Sequence, residues 1–223
     1  MMNNVSIDIF SDVVCPWCYI GKRNLEKALK IITSNRDDLN ISVNWRAFQL
    51  NPALPMGGVS RQEYTASKFG GKENAKAIYD RVRLAAEQAG LTLHFDDITV
   101  QPNSTKMHEL IYASKETALT DDLIEALFKA FFINGKDLSK KENIGQIARE
   151  VGMSDEVIHA AIESDNYADQ ISDDLEESQR IGIHGVPFYV LNDEIGLSGA
   201  QPPEIIAKTI LDTLPKSGSS ANG

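Results

Sequence analysis

Cysteine is scarce in this chain of 223 residues: there are two, both in the run SDVVCPWCYIGKRNLEKALKII that begins at Ser11. That count excludes a secreted scaffold stapled by several disulfides. The chain also lacks a second CxxC and a histidine pair at ligand spacing. A closed four-ligand zinc site within one copy is therefore excluded, and only a metal bridging two copies would rescue that reading. Clustered Lys and Arg are missing too, and the net charge is -10. Nucleic acid and anionic membrane are accordingly not expected as partners. No apolar run approaches the ~20 residues of a spanning helix. The opening MMNNVSIDIF has neither a basic n-region nor an apolar h-region. These absences predict a cytoplasmic protein, in a compartment that keeps thiols reduced.

What remains is an ordinary globular composition, 42% apolar, long enough to bury a sizeable core. VSIDIF (Val5 to Phe10) alternates and predicts a strand. From Pro16 a helical period takes over, with Leu25, Leu29 and Ile32 on one stripe. ISVNWRAF (Ile41 to Phe48) alternates again, completing a βαβ unit. After the loop NPALPMGG come about 120 residues that read as helices only: Arg61–Phe69, Glu73–Gly90, Ser104–Thr117, Asp121–Phe132, Lys141–Val151, Asp155–Ile162 and Ala168–Ile181. Strands return at Val186–Asn192 and Ile195–Gly199, then a helix at Pro203–Leu214 and a frayed tail. Two isolated strands cannot stand alone, so the two ends must share one sheet. The expected architecture is an α/β domain built from residues 1–55 and 182–214. A helical domain, 56–181, is inserted into it, and 215–223 form a disordered tail.

A disulfide between Cys15 and Cys18 would close too short a loop to stabilise the fold much. Exchange chemistry explains the pair better. With Cys15 at the N-cap of the helix and Pro16 at its first position, proline's fixed φ and missing N–H are tolerated. The free N–H groups of Trp17 and Cys18 are then expected to point at the Cys15 sulfur and, with the helix dipole, to favour its thiolate. Cys18, one turn inside, is expected to be less accessible. Cys15 is thus predicted to be the nucleophile and Cys18 the resolving thiol. Half of a zinc knuckle and a pair of incidental buried cysteines are the competing readings.

The run FSDVVCPWCYIGKRNLE resembles the FrnE-like branch of the DsbA family of thioredoxin-fold oxidoreductases. So do WRAFQLNPALP and NSTKMHELIYAS, the latter with Ser104 and Met107 where that branch carries Thr and Ala. ALFKAFFINGKDLSKKENIGQIAREVGM and GIHGVPFYVLND…GLSGAQP extend the resemblance from about residue 5 to 210. It implies a thioredoxin fold interrupted by an all-helical insertion. It also implies that Val186-Pro187 is a cis bond facing the cysteines, and that Val186 offers backbone groups to an extended substrate chain. Pro16, Trp17, Val186 and Pro187 are the expected substrate contacts. Trp17 replaces the histidine of the periplasmic oxidants, which predicts weaker oxidising power within the roughly -270 to -120 mV spanned by related sites.

Other residues carry two readings each. Asp12 is either a turn residue or an aid to proton transfer from Cys18. His184 either tunes Cys15 or has an unrelated surface role. His108 is read as fixing the insertion to the sheet rather than as catalytic. LFKAFFI (Leu127 to Ile133) is either core or the lining of a cleft. Trp45 is read as core, and Asp8 as solvent-facing between the core residues Ile7 and Ile9.

The expected activity is thiol–disulfide exchange or isomerisation on a protein or small-molecule partner. No metal or organic cofactor is expected, and glutathione or another small thiol is a candidate co-substrate. The alternatives are a glutathione-dependent isomerase, a kappa-type glutathione transferase and a non-catalytic holdase. A homodimer through the inserted helices stays open.

Overall fold

The computed structural model describes residues 2–214, so the tail expected over 215–223 lies outside the described residues. The first βαβ unit forms as its pattern dictates. Strand β1 (Asn3–Ser11) runs parallel to β2 (Leu39–Ala47), with helix α1 (Pro16–Thr33) between them. Val5, Ile7 and Ile9 are buried and Ile9 is paired with Trp45, also buried. Asp8, between them, is half-buried and accepts a hydrogen bond from Asn44 Nδ2 at 3.0 Å.

Seven helices follow: α2 (Arg61–Phe69), α3 (Lys72–Ala89), α4 (Thr105–Ser114), α5 (Thr120–Phe132), α6 (Lys141–Glu150), α7 (Asp155–Glu163) and α8 (Ala168–Arg180). Their ends show the expected chemistry. Ser60 caps α2 in a reciprocal pair with Glu63, and Gly70 ends that helix at φ 73°, where a side chain would be strained. The stretch is not all helix, however. Val59–Ser60 (β3) pairs antiparallel with Val100–Gln101 (β4). Two-residue strands have no room to show alternation, which is why the sequence does not announce them.

The sheet closes with β5 (Phe188–Leu191) and β6 (Ile195–Ser198), in the order β2-β1-β5-β6, and helix α9 (Pro203–Asp212) packs on α1. Strand β5 runs antiparallel to β1, with Phe10 opposite Phe188. This register has a direct consequence. The residues just before β5 arrive where β1 ends and the chain turns into Cys15.

The aromatic run on α5 is core. Leu127, Phe128, Phe131 and Phe132 are buried, and Phe128 stacks on Tyr19 of α1 at 4.9 Å between ring centroids. Two stretches that resemble one family also bind each other. Asn103 Nδ2 donates to the Leu54 carbonyl at 2.8 Å, and Gln49 Nε2 donates to Thr105 Oγ1 at 2.8 Å. The loop after β2 is thereby pinned to the start of α4. Among the described residues no helix is long and apolar enough to cross a membrane.

Candidate active site

The chain leaves β1 at Ser11 and makes one tight turn, closed by Cys15 N–H donating to the Asp12 carbonyl at 3.0 Å. Cys15 is the N-cap of α1, in extended backbone (φ -97°, ψ 113°), and Pro16 occupies the first turn. The Cys18 N–H donates to the Cys15 carbonyl at 3.0 Å, not to its sulfur. The expected cap of N–H groups on Cys15 Sγ is therefore not formed. The backbone carbonyl takes the first helical bond, and the thiol turns the other way, donating to the Val186 carbonyl at 3.5 Å.

Both cysteines are free thiols and both are buried, Cys15 at 4% and Cys18 at 1% exposure. The ordering of access is as expected, but the outer sulfur is more enclosed than a nucleophile read from sequence. Trp17, between them, is 39% exposed. Burial pushes the Cys18 thiol well up, and hydrogen bonding to Cys15 and its charge add to this; the Ser11 hydroxyl and the Asp12 backbone act in the opposite sense. Burial thus holds Cys18 as a thiol.

Val186-Pro187 is cis. The Pro187 carbonyl is taken by the Gly199 N–H at 2.8 Å, whereas the Val186 N–H has no partner among the described residues. Opposite the cysteines, Val186 thus presents one carbonyl already facing Cys15 and one free N–H.

Asp12 is fully buried. Its carboxylate accepts from Leu50 N–H at 2.8 Å and Val14 N–H at 3.4 Å, so it ties the cysteine turn to the loop after β2. Held by these two backbone N–H groups, the carboxylate anchors the turn, which favours the turn reading over proton transfer. His108 on α4 lies 3.7 Å from the same carboxylate and donates from Nε2 to the Phe48 carbonyl at 3.1 Å. It fixes the helical segment to the sheet side. His184 is exposed, with no hydrogen bond among the described residues.

Three residues of this site were not singled out from sequence. Gly21 on α1 lies under β5: a Cβ there would stand 2.5 Å from the Tyr189 hydroxyl and 2.8 Å from Pro187 Cγ. Tyr189 is buried against it. Tyr64 on α2 is pushed up, first by burial and also by the charges of Asp12 and Cys15, so α2 reaches the cysteine end of α1. A glycine amid the helical period of α1 was the one available signal. Among the described residues, no group of three or more His, Cys, Asp or Glu side chains is arranged to hold a metal ion.

The chain is 24% identical over 214 residues to the Bacillus subtilis protein YwbO, covering 93% of this chain and 96% of that one. It superposes on the probable DsbA oxidoreductase SCO1869 of Streptomyces coelicolor with a TM-score of 0.84 and 29% identity, covering 93% and 89% of the two chains. The cytosolic disulfide reductase DsbM of Pseudomonas aeruginosa shares the fold at a TM-score of 0.65 and 15% identity, over 93% and 98% of the chains. Residues 6–211 match the DSBA-like thioredoxin domain, which takes in the cysteine turn, the helical segment and the returning strands alike, and the chain belongs to that family.

Proposed function

We propose that the protein is a thiol–disulfide oxidoreductase of the FrnE-like branch, working in the cytoplasm through Cys15 and Cys18. Cys15, as thiolate, attacks a substrate disulfide R–S–S–R′, forming Cys15–S–S–R and releasing R′–S⁻. Cys18 then attacks the Cys15 sulfur, releasing R–S⁻ and leaving the Cys15–Cys18 disulfide. The substrate gains two electrons and the pair loses them. Two molecules of a small thiol such as glutathione restore the pair and leave as their own disulfide. Run in reverse, the same steps oxidise a dithiol, and the two directions combined isomerise a disulfide.

The observation that carries this reading is the Val186 carbonyl 3.5 Å from Cys15 Sγ, beside an unpaired Val186 N–H. An extended chain paired with Val186 by its backbone is held next to the nucleophile without demand on its sequence. Exposed Trp17 adds an apolar face for the same chain. Supporting the small-thiol step, the related DsbM fold has also been solved with GSH. A second cysteine one turn from the first argues against glutathione activation without exchange.

The test is the equilibrium of the pair in graded glutathione redox buffers, read by mass after alkylation. A reversible intramolecular disulfide is the expected result. A potential near about -270 mV marks a reductant and one above about -200 mV an oxidase or isomerase. If no disulfide forms at any buffer ratio, the reading is wrong.

A further inference from the structure

Tyr189 is 1% exposed, and its hydroxyl has no hydrogen-bond partner among the described residues. Buried hydroxyls are seldom left in that state, because the lost hydration is not replaced. This one ends against the first turns of α1, 2.5 Å from where a Cβ on Gly21 would stand. Cys18 is one turn before Gly21 on the same helix face, where Cβ positions lie about 5–6 Å apart. Side chains of a helix lean toward its N-terminus, so the space over Gly21 adjoins Cys18. The absence of a side chain at Gly21 is what admits the hydroxyl there. Burial first, and then the charge of Cys18, keep that hydroxyl protonated.

We propose that the Tyr189 hydroxyl is the hydrogen-bond donor to the Cys18 sulfur when that sulfur becomes an anion to resolve the mixed disulfide. The inference rests on the exchange reading above. In this step the Cys18 thiol loses its proton to solvent and its thiolate attacks the Cys15 sulfur of Cys15–S–S–R. The bond to R breaks, and R–S⁻ departs with the electron pair and takes up a proton. The net change is Cys15–S–S–R plus Cys18–SH giving Cys15–S–S–Cys18 plus R–SH. Tyr189 keeps its own proton throughout. A buried anion is strongly disfavoured unless donors meet it, and the Tyr189 hydroxyl would add to the Ser11 hydroxyl and the Asp12 backbone, which already act in that sense. A tyrosine that merely filled the core would have no need of its hydroxyl.

The experiment uses bis-thionitrobenzoate disulfide on the reduced protein. Attack by Cys15 releases one coloured thiolate, and resolution by Cys18 releases a second. In Tyr189→Phe the first release is expected to be unchanged. The pH midpoint of the second is expected to rise by about one unit. At neutral pH its rate falls only about threefold, because the less acidic thiolate is also the better nucleophile. Replacing Tyr189 with 3-fluorotyrosine, a stronger donor of nearly the same shape, is expected to move the midpoint down. Wild-type protein releasing a single equivalent would defeat the exchange reading itself. Two equivalents from the wild type, with an unmoved midpoint in Tyr189→Phe, would overturn the role of Tyr189 alone. If the phenylalanine variant does not fold, an unmoved midpoint in the fluorotyrosine protein overturns it equally.

Discussion

Helix α1 has two regions of opposite character. Its first turn contains no acidic residue, and its two sulfurs are placed by backbone bonds: Cys15 N–H to the Asp12 carbonyl, Cys18 N–H to the Cys15 carbonyl, Cys15 Sγ to the Val186 carbonyl. One turn on, side-chain charge takes over. Lys22, with 2% of its side chain exposed, binds Glu26 at 2.5 Å and Asp121 of α5 at 2.9 Å. Arg23 pairs with Glu26 at 2.8 Å and also with Glu125, which accepts the Tyr19 hydroxyl at 2.8 Å. Burial works against the Lys22 ammonium, yet the two carboxylates outweigh it and hold the charge. The lesson is a separation of duties along a single helix. Charge clamps α1 to the helical segment beyond the reactive turn, and the Cys15 sulfur is left with a neutral backbone partner, the Val186 carbonyl, that a substrate can exchange.

The contrast can be broken at either region, and the cysteine turn should respond most. Cys15→Ser is expected to abolish exchange with a model disulfide while leaving the melting temperature nearly unchanged. Cys18→Ala is expected to accumulate mixed disulfides on Cys15, detectable by mass. Exchange surviving in Cys15→Ser would show that the nucleophile has been misassigned.

At the clamp the expected effect is on stability. Glu26→Gln combined with Asp121→Asn leaves Lys22 buried with only Glu125, 3.7 Å away. Stranding a buried charge in this way should cost about 2 kcal/mol. Lys22→Met removes the charge instead and frees two carboxylates that already reach solvent, so it should cost less than about 1 kcal/mol. Denaturant unfolding of both proteins would check the asymmetry, and equal losses would mean that the clamp works by packing alone.

The smallest effect is a pH slope. The folded protein holds the Cys18 thiol well above its ordinary value, so above about pH 8.5 the unfolded chain releases a proton that the folded chain keeps. The resulting contribution is complete below that pH and declines as pH rises toward the folded value. Reduced wild-type protein should therefore lose stability over this alkaline range faster than Cys18→Ala. Parallel curves would mean that burial does not raise this thiol.

Much of the fold is legible in the sequence where the signal is local. Alternation at Val5–Phe10, a helical period from Pro16 and alternation at Ile41–Phe48 yield β1, α1 and β2 because each pattern lies within one element. Seven helical spans are also found, within a few residues at each end. The cysteine spacing needs only the start of a helix to be read. What was missed depends on partners far along the chain. Cys15 Sγ was expected to take N–H groups from its own helix, and it faces Val186 instead. Gly21 and Tyr189 mean little until β5 is laid beside β1. The cis bond at Pro187 was reached by resemblance, since nothing in the tripeptide around it distinguishes one isomer.

The sequence by itself determined the long strands and helices, though not the two-residue pair β3 and β4, and that Cys15, Pro16 and Cys18 would share the first turn of α1. Those outcomes rest on side-chain periodicity and proline geometry, which act over a few residues. Only the tertiary structure decided what the sulfurs would meet. Pairing Phe10 with Phe188 carries Val186 across 171 residues of sequence to the Cys15 thiol, and brings the Tyr189 hydroxyl over Gly21. An alternating pattern states which face of a strand is buried. It does not name the strand beside it, because backbone hydrogen bonds carry no side-chain label.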